Sequence, residues 1–73
     1  MLRHHLTLAE EHVALGRKHI ASQRRIIAEL KRDGHPSGIA EEILVTFESA
    51  QKMHVEDRDR ILSEIAGLDR RGE

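Results

Sequence analysis

The sequence predicts an all-α fold: an antiparallel two-helix hairpin, coiled-coil-like, that dimerises into a four-helix bundle. Three observations predict it. One cluster of helix breakers, Gly34-His35-Pro36-Ser37-Gly38, divides the chain near its middle. An unbroken heptad of mostly apolar positions runs through each half. The two halves also carry opposite charge.

Helix 1 is expected over about residues 3–33. Thr7-Leu8-Ala9-Glu10 has the form of a capping box, yet the apolar phase reaches back to Leu2, which places the start between residues 2 and 7. Lys31 and Arg32 suit a helix carboxyl end, and Gly34 suits the residue that follows such an end. Residues 34–37 form the turn, because proline removes an amide hydrogen and disfavours helix in the residue before it. Ser37 is a candidate cap for helix 2, with Glu41 and Glu42 near its positive amino end. Helix 2 is expected over about residues 38–69, with fraying beyond Leu68. The whole chain, 1–73, is read as a single domain.

Leu2, Leu6, Ala9, Val13, Gly16, Ile20, Gln23, Ile27 and Leu30 follow one another at alternating steps of four and three, the spacing of a heptad seam. Helix 2 repeats the rhythm with Ala40, Leu44, Phe47, Gln51, His54, Arg58, Ile61, Ile65 and Leu68, widened by Ile43, Ala50 and Leu62. Each helix would be about 45 Å long, and matched lengths with a short connection favour an antiparallel pair. With the turn centred near residue 35, facing residues should carry numbers summing to about 70, which sets Gly16 opposite His54.

Size and composition predict a homodimer. The chain has 73 residues, no cysteine and one aromatic residue, Phe47, so neither disulfides nor a large aromatic core can stabilise it alone. Helix 1 carries Leu8, His12, Leu15, His19 and Ile26 beside its seam, a stripe wider than one neighbouring helix can cover. These five residues are the expected dimer face; the alternatives are a monomer with scattered exposed leucines, which are normal on protein surfaces, or an unidentified protein partner.

Charge patterning fits the hairpin. Residues 1–36 hold seven Lys/Arg and four Asp/Glu; residues 37–73 hold five and nine, for an overall net charge of −1. A basic helix thus lies beside an acidic one, and Glu48/Lys52 and Glu56/Arg60 are spaced for pairs within helix 2. A balanced chain of 34% charged residues suits solvated helix faces rather than a membrane. Nucleic-acid binding through Arg17-Lys18, Arg24-Arg25 and Lys31-Arg32 is a weaker alternative, since the acidic helix already offers these residues a partner.

Chemistry, if present, is confined to a polar layer where the seams lose their apolar character: Gly16, Gln23, Gln51, His54 and Arg58. Glycine within a helix costs about 1 kcal/mol relative to alanine, so Gly16 needs a reason, and room for a facing side chain supplies one. Buried polar groups must find partners, so hydrogen bonds across the helices are expected here. The layer is read as fixing register and partner choice.

Six histidines invite a metal reading. His5, His12 and His19 recur every seven residues, about 10.5 Å of helix rise, too far apart for two of them to bind one ion. A metal would need ligands from both helices, with His12, His54 and Asp57 the best set; His19 is the other helix 1 imidazole within reach of a His54-centred ligand site. No Glu-x-x-His occurs, which excludes the usual di-iron bundle motif. Catalysis is not expected: there is no cysteine nucleophile and no strand-turn-helix elbow, and no cofactor is implied.

The pattern His12-Val13-x-x-Gly16, Gln23, Gly34-His35, Phe47 and His54-x-x-x-Arg58 resembles short uncharacterised bacterial proteins of helical-hairpin type. The resemblance covers most of the chain and implies the hairpin fold; it carries over no activity, cofactor or partner. No apolar run approaches the roughly 18 residues of a membrane span. Met1-Leu2-Arg3-His4-His5 lacks the apolar stretch of a signal peptide, so the cytoplasm is the expected compartment.

Overall fold

A computed structural model describes residues 2–71, with side chains described as far as Leu68. It contains two helices, α1 over Leu2–Arg32 and α2 over Gly38–Arg71, packed against each other as a hairpin. The backbone stays helical through Arg71; the expected fraying at Gly72 and Glu73 lies outside the described residues, as does Met1.

Helix α1 starts before the capping-box candidate. Thr7 sits inside the helix, and its hydroxyl donates back to the Arg3 carbonyl at 3.1 Å. Leu2 and Leu6 are half-buried on the seam, and that burial carries the helix past Thr7.

The reversal is built from backbone hydrogen bonds. His35 N–H donates to Leu30 O at 2.8 Å and Gly34 N–H to Lys31 O at 3.2 Å, the paired bonds of a Schellman motif. Gly34 holds the left-handed conformation this motif needs, with φ +74°. Helix α2 then begins from the Ser37 carbonyl, which accepts from Glu41 N–H at 2.9 Å.

Burial follows the heptad. Every α1 residue on the seam from Leu2 to Leu30 is buried or half-buried, and every other described residue of α1 is exposed. On α2, Ala40, Leu44, Phe47, Gln51, His54, Arg58, Ile61 and Ile65 behave alike, while Leu68 at the open end is 52% exposed. Ala50, Val55 and Gly67 are also half-buried, but Ile43 and Leu62 remain exposed.

The resulting body is a rod measuring 61 × 14 × 14 Å. Its radius of gyration is 17.2 Å, against about 11 Å for a compact domain of this length. A two-helix rod has almost no interior: among the described residues the buried apolar set is Ala9, Val13, Ile27 and Ile61, and no side chain falls below 2% exposure.

The register differs from the one inferred from the turn midpoint. Gly16 faces Gln51 rather than His54, a shift of three residues. The ring contacts His12–His54 and His19–Phe47 obey the shifted register. The physical reason lies in the seam. Val13 and Gly16 begin alternate heptad steps, and antiparallel helices mesh only when a position that opens one step faces one that closes it. Gly16 with Gln51 satisfies that condition; Gly16 with His54 does not.

Candidate functional site

The polar layer consists of two reciprocal clamps. Gln23 of α1 is buried at 8% exposure and its Nε2 donates to the Ala40 carbonyl of α2 at 2.9 Å. Gln51 of α2 donates through Nε2 to the Val13 carbonyl of α1, also at 2.9 Å. Each glutamine thereby reads the backbone of the opposite helix, so sliding either helix by a residue would break both bonds. Gly16 makes the second clamp possible. A Cβ there would overlap the Gln51 amide, whose Cδ lies 2.6 Å from the position that Cβ would take. Gln51 Oε1 is buried without a hydrogen-bond partner.

Arg58 does not reach across. Its Nη2 and Nε donate to Asp59 on its own helix at 3.0 and 3.2 Å. A long side chain at a seam of a thin rod can lay its stem on the interface and return its charge to water, which removes any need for a cross-helix partner. His54 is half-buried and meets His12, the ring centres 5.3 Å apart and inclined by 43°.

The histidine ladder of α1 lies along one flank of the hairpin. His19 rests on Phe47 at 5.6 Å between ring centres. His5 and His12 line a shallow cleft of about 180 Å³ with Leu8, Ala9, His54, Asp57, Arg60 and Ile61. Asp57 is held by Arg60 at 3.5 Å. The cleft therefore gathers His12, His54 and Asp57, the three residues expected to be best placed for a metal. Among the described residues, however, no three His, Asp or Glu side chains converge closely enough to hold an ion.

That flank carries exposed apolar side chains on both helices, interrupted by the Asp57–Arg60 pair. Leu8, Leu15 and Ile26 of α1 are 40–50% exposed, and Ile39, Ile43 and Met53 of α2 are 41–76% exposed. By heptad position these six share one side of the hairpin with His5, His12 and His19, and Val45 and Leu62 fall on the other side. The face thus extends the five α1 residues read from the sequence onto α2. The missed signal was the repeat of Ile39 and Met53 fourteen residues apart, in phase with Leu8 and Leu15.

The opposite flank is ionic. Arg24 pairs with Glu48 at 3.2 Å and Lys31 with Glu41 at 3.0 Å, one heptad apart on each helix. Glu48 thus pairs across the hairpin rather than with Lys52, and Arg60 pairs with Asp57 rather than with Glu56. All four cross-helix partners are substantially exposed, so each pair is worth about 0–1 kcal/mol and chiefly selects register. These contacts occupy two members of the basic band considered for nucleic acid.

No helix among the described residues is long and apolar enough to cross a membrane. Comparison with protein-family models, curated proteins and solved structures returned no match.

Proposed function

We propose that this chain is a non-enzymatic helical interaction module that self-associates, two hairpins packing their histidine-lined faces into a coiled-coil-like four-helix bundle. The observation that carries the reading is the face of Leu8, Leu15, Ile26, Ile39, Ile43 and Met53, exposed on a chain with almost no interior. Large contiguous apolar patches rimmed by polar residues mark interaction sites.

Area supports a second copy as the occupant. The chain exposes 5788 Å², whereas a monomer of 8.3 kDa ordinarily exposes about 4,600 Å². A standard interface hides about 800 Å² per partner, which the excess of about 1,200 Å² would supply. A net charge of −1 gives two copies little reason to repel. The Arg24–Glu48 and Lys31–Glu41 pairs of each hairpin lie on the opposite flank, outside the contact.

The reading is tested by Leu15→Glu. Leu15 is half exposed and lies off the heptad seam, so the hairpin should keep its helicity by circular dichroism. Sedimentation equilibrium should show a dimer for the parent chain at tens of micromolar and a monomer for the variant. A parent chain that sediments as a monomer at those concentrations defeats self-association.

One observation favours a second reading, a transition-metal site. Two imidazoles on one tetrahedral ion hold their ring centres about 5 Å apart, close to the 5.3 Å between His12 and His54. Titration with zinc or nickel would then move the imidazole NMR signals of both residues together and raise the melting temperature. Unmoved signals remove this reading.

A further inference from the structure

Apolar side chains are not spread evenly along the histidine-lined flank. Leu15, Ile26, Ile39, Ile43 and Met53 lie in the half nearer the turn, whereas Leu8 lies in the other half, among Asp57, Arg60 and Glu64. The apolar half also has an inner symmetry. On α1 a large side chain stands at each end, Leu15 and Ile26, with His19 and Ser22 between them. On α2 Ile39 and Met53 stand at the ends, with Thr46 midway. Heptad spacing supplies the positions; the bulk at their ends is particular to this sequence. The midpoint of the first set falls between Ile20 and Ala21, and that of the second at Thr46. The register that sets Gly16 against Gln51 and His19 against Phe47 brings these midpoints to one level of the rod. The patch therefore maps onto itself by a half-turn about a line crossing the hairpin there, which is the condition for an isologous contact.

Resting on the self-association reading above, we propose that the second copy docks antiparallel, α1 on α1 and α2 on α2, about a two-fold axis that crosses the flank near Ser22 and Thr46. Leu15 then meets the partner's Ile26, and Met53 the partner's Ile39, so bulk packs against bulk at both ends of the patch. Leu8 reaches the partner's turn. Small Ser22 and Thr46 sit beside the axis, where each helix crosses its own copy. The Thr46 hydroxyl already donates to the Glu42 carbonyl at 3.3 Å, so covering it strands no donor. Charge decides the direction. In a parallel arrangement equal levels would face, and Glu64 with the Asp57–Arg60 pair would be enclosed against the same charges of the second copy. Enclosing charge without compensation is costly. Antiparallel docking instead carries Arg60 and Glu64 to the partner's turn and beyond it, where water reaches them. It also sets His12 beside the partner's Glu29, an imidazole N–H next to a carboxylate.

The chain has no cysteine, so single ones can carry spin labels without interference. His4→Cys and Lys18→Cys place nitroxides on the exposed outer side of α1, off both flanks, and circular dichroism checks that each variant keeps its helix content. Double electron–electron resonance on the full chain at about 200 μM reads the distance between the two copies. At 1.5 Å of rise per residue, antiparallel docking about the stated axis separates the His4 labels by about 50 Å. The Lys18 labels, close to the axis, should lie within about 25 Å. A parallel dimer would hold both label pairs at one distance of about 30 Å. Equal distances therefore overturn the proposed docking and leave self-association standing. A Lys18 distance above about 40 Å moves the axis away from Ser22 and Thr46 and overturns the docking as well. Absence of coupling in both variants overturns the docking alone if the labelled chains sediment as dimers. If they sediment as monomers, it overturns self-association too.

Discussion

The side-chain amide of Gln51 lies in the hollow left by the absent side chain of Gly16, and from there it donates 2.9 Å to the Val13 carbonyl. Two apparent defects of the sequence, a glycine inside a helix and a glutamine on a seam, are therefore one device. Its partner is the bond from Gln23 to the Ala40 carbonyl. Apolar seams slide easily, and these two directed bonds name one register.

A double-mutant cycle tests the device. Gly16→Ala gains about 1 kcal/mol of helix propensity. It must also expel the Gln51 amide, forfeiting a hydrogen bond worth about 1 kcal/mol and its packing. The expected outcome is no gain, or a loss, in the parent chain. In the Gln51→Ala background the same substitution should stabilise by about 1 kcal/mol. Urea unfolding of the four species at one low concentration gives the coupling. Equal effects in both backgrounds would dismiss the contact.

The other glycines separate conformation from crowding. Gly34 has open space around it but a φ of +74°, so Gly34→Ala should destabilise by about 1–2 kcal/mol. Gly67 lies within α2 with open space and no such φ, so Gly67→Ala should stabilise by up to about 1 kcal/mol. Thermal unfolding of both variants checks the pair of signs. A stabilising Gly34→Ala would refute the turn geometry.

Ion pairs on the charged flank should matter little. Arg24→Ala is expected to cost less than about 1 kcal/mol at low salt. The cost should disappear in 1 M salt, where screening acts within about 3 Å. A salt-independent loss of more than about 2 kcal/mol would mean that the Arg24–Glu48 pair is shielded from solvent, against the exposure of both side chains.

Much of the fold was legible in the sequence because heptad spacing is a direct record of burial. The run from Leu2 to Leu30 at steps of four and three picks out the residues of α1 that avoid solvent, polar Gln23 included. The turn was legible for a similar reason: Gly34 and Pro36 leave the backbone few alternatives. Register was less so. The midpoint of a turn says where the chain reverses, whereas register depends on which positions mesh, as Gly16 does with Gln51.

Side-chain destinations were the least legible part. Arg58 was expected to bond across the helices, but its length lets it return to Asp59 and water. Spacing along α1 gave Leu8, His12, Leu15, His19 and Ile26 as one stripe. Their neighbours Ile39, Ile43 and Met53 on α2 required the register before they could be joined to it.

The most direct test of the account is which methyl groups respond when the protein is diluted. Methyl NMR spectra recorded from about 500 μM down to about 5 μM at neutral pH should show the signals of Leu8, Leu15, Ile26, Ile39, Ile43 and Met53 moving together. Val45 and Leu62, exposed on the opposite flank, should stay in place. Spectra that do not change with concentration, or changes centred on Val45 and Leu62, would contradict self-association through the histidine-lined face.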